Sequence, residues 1–100
     1  MHISLELMTP LIESFFTVHT AAGAVQLRLV DAQESPRRGS PAQFRTPLSL
    51  LFSGPSAPQL RQDNYTFEHP TLGQQQWFVV PVIAVGTEVT QGAAYEVLFA

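Results

Sequence analysis

The chain contains no cysteine, and charged residues make up only 13% of its 100 positions. Without cysteine there is no disulfide framework and no thiolate to act as nucleophile or metal ligand. Positive charge is scarcest: all five basic side chains are arginines, and only Arg37 and Arg38 are adjacent. A nucleic-acid binder carries a clustered basic face, so no nucleic-acid partner is expected. Apolar runs are too short to cross a bilayer, and the opening MHISLELMTP has no basic stretch followed by an apolar core. Neither a membrane span nor a secretory signal is expected, which points to the cytoplasm. No segment sustains helical spacing, and nothing recurs at a fixed period.

What is present is apolar and suited to strands. Hydrophobic residues reach 45% against a net charge of −3, which excludes a disordered chain and gives one domain over residues 1–100. So sparse a charge on so apolar a chain leads us to expect a protein partner or a homo-oligomer.

The stretch Asn64 to Val85 organises the rest. Tyr65, Phe67 and His69 alternate with Thr66 and Glu68, as in a strand with one buried face. Pro70-Thr71-Leu72-Gly73 supplies a fixed φ and then a residue tolerant of positive φ, so a hairpin turn is expected there. Trp77 to Val85 follows, apolar on both faces, as in a strand covered on both sides or bending between layers. Pro81 within it marks an edge, a bulge or a change of sheet.

Further strands are expected at Phe15 to Thr20, Val25 to Leu29, Phe44 to Phe52 and Tyr95 to Phe99, with Ala21-Ala22-Gly23 as a turn. Gln33 to Gln43 reads as an exposed loop. His2 to Leu7 alternates as a short strand or arm, and Thr9-Pro10 looks like an N-cap with proline at the first position of one helical turn. The fold class is therefore all-β: about six antiparallel strands in a small meander barrel or a two-sheet sandwich.

The candidates for chemistry are thin. Glu68 and His69 suggest acid–base work, but neighbours on a strand point to opposite faces, and a histidine hydrogen-bonded to the turn is the better reading. His2, His19 and His69 lack any short ligand spacing, so no metal is expected. No cofactor motif, phosphate-cradling glycine loop or Gly-x-Ser-x-Gly elbow occurs, and no catalytic residue is assigned. The candidate ligand or partner surface comprises Tyr65, His69, Trp77 and Tyr95, which would line a pocket if the barrel were hollow. Arg37 and Arg38 in the exposed loop add a contact for an acidic partner.

The order of Phe52, Gly54 and Pro55, then Gln62 and Tyr65, then His69, Pro70, Leu72 and Gly73 resembles a family of small uncharacterised bacterial all-β domains. Phe78, Val80 and Pro81, with the closing Tyr95, Glu96 and Phe99, complete the pattern, which covers about half of the chain directly. The chain departs from that family in having Ile12-Glu13-Ser14 where a glycine is expected before the first strand. The resemblance implies a neighbourhood of phage-tail-collar-type proteins and hence a structural or assembly role, and it carries no catalytic residue. The expected function is a non-enzymatic structural or adaptor domain working by protein–protein contact; the alternative is a small-molecule-binding barrel.

Overall fold

The computed structural model describes residues 3–34, 47–55, 59–82 and 92–99, and it opens with a helix where alternation suggests a strand. Helix α1 spans Leu5–Met8. Ser4 is its N-cap, with its hydroxyl oxygen accepting from the Leu7 N–H at 3.1 Å. That bond satisfies one of the free donors of the first turn. Thr9–Leu11 continues as a 3₁₀ turn, so Thr9-Pro10 extends a helix instead of starting one. Ile3, Met8 and Leu11 are buried in the same cluster as the barrel interior, which fixes α1 against the domain.

Six strands follow: β1 (Phe15–Thr20), β2 (Gly23–Glu34), β3 (Leu48–Gly54), β4 (Asp63–His69), β5 (Gly73–Val82) and β6 (Ala93–Phe99). All neighbouring pairs are antiparallel, and the sheet closes into a barrel in the order β1-β2-β3-β6-β5-β4. The meander holds within each half, β1-β2-β3 and β4-β5-β6. Between the halves the chain crosses over, so β1 pairs with β4 and β3 with β6, a Greek-key arrangement. Among the described strands, closure leaves none without a paired neighbour on each side.

The turn expected at Pro70 to Gly73 is present. His69 pairs with Gly73, the His69 carbonyl accepts from the Leu72 N–H at 3.1 Å, and Gly73 sits at φ 69°. A three-residue loop closed by a left-handed glycine is a favoured hairpin connection. Strand β2 runs further than its clean alternation because of a bulge between Leu29 and Asp31. Before the bulge Val25, Leu27 and Leu29 face inward and after it Ala32 does, while Val30, the extra residue, is buried outside that core cluster. The extra residue reverses the phase, so one alternation pattern cannot follow the strand through.

Pro81 lies where β5 changes partner. Residues up to Val79 pair with β4, and Val80 to Val82 pair with β6, so the proline breaks no β4 ladder. Within β5, Trp77 and Val79 are buried, but Phe78 between them is 45% exposed. The strand is thus covered on one face here, and its apolar outer face is a surface feature. Ile83 to Val85, Phe44 to Thr46 and most of the Gln33 to Gln43 stretch lie outside the described residues.

Candidate functional site

The inside of the barrel is occupied by rings. Phe16 packs on Phe52 with centroids 5.3 Å apart, Phe52 on Phe67 at 5.4 Å, and Phe67 on Trp77 at 4.9 Å. Trp77 also meets Phe99 edge-on at 5.5 Å. Of the four residues expected to line a pocket, Tyr65 and Trp77 are partners across the β4–β5 ladder. Trp77 and Tyr95 are buried in the core, and the Tyr95 hydroxyl accepts from the Leu60 N–H at 2.9 Å, tying down the segment that leads into β4. Tyr65, at the start of β4, is half-buried and donates to the Arg61 carbonyl at 2.8 Å. His69 sits at the other end of β4. Arg37 and Arg38 lie outside the described residues.

His69 is the one buried polar or charged side chain among the described residues, and its partners define its protonation. The Thr71 N–H reaches Nδ1 at 3.1 Å, and an amide can only donate, so Nδ1 is an acceptor. The proton of the neutral ring is then on Nε2, which donates to the Ser14 hydroxyl at 2.9 Å. Ser14 in turn donates to the Leu11 carbonyl. Burial lowers the His69 pKa from its ordinary 6.5, which keeps the ring in this neutral form. The polarity is the reverse of a nucleophile–base pair, in which the hydroxyl gives its proton to the ring. The histidine therefore fastens the β4–β5 turn to the segment before β1, as a turn-bonded histidine is expected to do.

Glu68 points outward, away from His69, and its Oε1 meets Nε2 of His19 on the neighbouring β1. His19 and His69 thus lie on opposite sides of the barrel wall. Among the described residues no group of three metal-ligating side chains comes together.

The outer surface carries features that strand alternation does not single out. Phe15, Phe78 and Leu98 are exposed at 58%, 45% and 56%. Phe78 of β5 pairs with Asn64 of β4, and Leu98 of β6 pairs with Ser49 of β3; both face outward just past the Val80–Glu96 end of the β5–β6 ladder. The half-buried Leu51 of β3 pairs with Glu96 on one side and Asp31 on the other, so the apolar side chains are bordered by two carboxylates, of which Glu96 accepts from Ser49 at 2.8 Å. A second feature crosses four strands. Thr17 pairs with Gln26 and with Glu68, and Glu68 pairs with Gln74, which sets four hydrogen-bonding side chains in one outward row. A groove of about 450 Å³ opens beside that row between Phe15 and Pro70. The available signal was phase: each of the three exposed apolar residues occupies the outward position of an otherwise alternating strand.

The chain belongs to the family described as Domain of unknown function (DUF6916), whose profile matches residues 3–99. No curated protein and no solved structure matches it. Among the described residues no helix is long and apolar enough to cross a membrane.

Proposed function

We propose that this domain is a non-enzymatic structural or adaptor module acting through protein–protein contact, of the kind that serves a bacterial phage-tail-like or fibre assembly. The observation that carries the reading is the patch of Phe78, Leu98 and Leu51 on the outer face of β5, β6 and β3. Exposed large apolar side chains gathered on one face cost solvation in the isolated protein, and a partner that covers them recovers it. Asp31 and Glu96 border the patch at Leu51, a polar rim beside apolar side chains of the kind that protein interfaces carry. The alternative of a ligand enclosed in the barrel draws no support from an interior filled by Phe16, Phe52, Phe67 and Trp77.

The test is the solution mass by light scattering, for the protein alone and mixed with the product of the adjacent gene. A self-complex or a mixed complex is expected. It should be lost in a Phe78→Ser/Leu98→Ser double variant that melts at the parental temperature, since both side chains are exposed. A monomer in both samples overturns the reading.

A further inference from the structure

We infer that the groove between Phe15 and Pro70 is a binding site for a pyranose sugar, independent of the apolar patch on β5 and β6. The β1–β4 ladder is only three pairs long, Thr17 with Glu68 to His19 with Thr66. Continued, it would set Phe15 against Pro70, but the strands part there and leave the groove, which is lined by Phe15, Thr17, Glu68, His69, Pro70 and Gln74 together with Gly73. The groove is an open depression of about 450 Å³, not an enclosed cavity, which suits a ligand held weakly by one face and part of its rim.

The chemistry of the lining selects hydroxyl groups. A sugar ring offers an apolar face of C–H groups and a rim of hydroxyls, each both donor and acceptor. The Phe15 ring is 58% exposed at the groove wall and supplies an aromatic face for the C–H side. The rim meets a mixed set of partners on the floor. Oε1 of Glu68 is engaged by His19, which leaves Oε2 to accept from a hydroxyl. Thr17 Oγ1 accepts from Gln26 Nε2 at 2.8 Å, which leaves its own proton to donate. The Gln74 amide brings both a donor and an acceptor. Two of the three groups are held in place by neighbours before any ligand arrives, so little side-chain entropy remains to be lost on binding. Glu68 disfavours an anion. A lone cation would find one carboxylate already shared and would leave Thr17 and Gln74 unused.

The inference is tested by amide chemical-shift titration of the folded protein with methyl glucopyranoside, methyl galactopyranoside and methyl N-acetylglucosaminide. Binding by at least one of the three in the millimolar range is expected, with shifts concentrated at residues 15–17 and 68–74. Phe15→Ala should weaken binding about tenfold by removing the stacking face, and Gln74→Ala should weaken it as well. Both residues are exposed, so both variants should keep the parental melting temperature. The Phe78→Ser/Leu98→Ser variant should bind sugar unchanged, which separates this outcome from the fate of the assembly reading. The inference is overturned by no response to any of the three sugars, by a response undiminished in Phe15→Ala, or by shifts at these residues with methylguanidinium alone.

Discussion

His69 shows how one side chain can be fixed in role by the donors around it. Protonating the ring places a second N–H at Nδ1, pointing at the Thr71 N–H that already donates there. It also places charge in a ring that burial has withdrawn from water. Both effects favour the neutral ring in the fold, in keeping with a pKa lowered by burial. The sign for stability follows from linkage. The unfolded chain takes up the proton near pH 6.5 and the folded chain only at lower pH, so this contribution is complete above 6.5. It declines as pH falls from there to the folded-state pKa, and levels off below it. Denaturant unfolding of the parent and of His69→Gln across this range should therefore give a stability difference that shrinks as the solution is acidified. A difference independent of pH would show that the ring does not titrate in this way. This much is legible in the sequence: a histidine at the mouth of a Pro-Thr-Leu-Gly turn is placed to bond to that turn. Its second partner, Ser14, is 55 residues away along the chain and becomes visible only when β1 and β4 are paired.

Among the elements, the strands were legible and the helix was not, for a reason contained in the residues of the first segment. Ile3, Leu5 and Leu7 alternate as in a strand, but Leu5, Met8, Leu11 and Ile12 also recur at spacings of three and four, as on one face of a helix. Over so short a stretch the two periods coexist, and the Ser4 cap together with burial of Met8 and Leu11 decides for the helix. The junction that returns the chain from the 3₁₀ turn to β1 has a comparable history. A glycine is expected at Ile12-Glu13-Ser14 by resemblance, and Glu13 adopts φ 78°, the left-handed conformation that glycine enters without steric cost. Two contacts hold it there: its N–H donates to the Leu29 carbonyl at 2.7 Å, and its carboxylate meets Arg28. The exposed ion pair contributes at most about 1 kcal/mol. Glu13→Gly and Glu13→Ala both remove it, so their difference isolates the backbone. The glycine variant should be the more stable by about 1 kcal/mol in denaturant unfolding. Equal stabilities would mean that the left-handed turn relaxes at no cost.

At the scale of the molecule, alternation specified which residues face inward but not which strands are neighbours. A simple meander and the observed crossing place the same residues inside; they differ in whether β1 closes on β6 or on β4. That choice depends on contacts between residues far apart in sequence, of which Trp77 is the centre. From β5 it meets Phe16 of β1 at 6.0 Å, Phe52 of β3 at 6.4 Å, Phe67 of β4 at 4.9 Å and Phe99 of β6 at 5.5 Å. Two of these rings belong to the first half of the barrel and two to the second, so the indole joins the halves as well as filling space. Trp77→Ala should therefore cost about 3–5 kcal/mol, a large part of the stability of a domain this size. The loss should also be shared: neither meander can bury its inner face without the other, so unfolding should remain a single transition at a lower midpoint. Far-ultraviolet circular dichroism and amide exchange, followed through the same denaturant series, measure both quantities. A cost below about 1 kcal/mol would contradict the packing described here, and a biphasic transition, with amides of β1 to β3 and of β4 to β6 opening separately, would show that the two halves fold as independent units held together by their ladders alone.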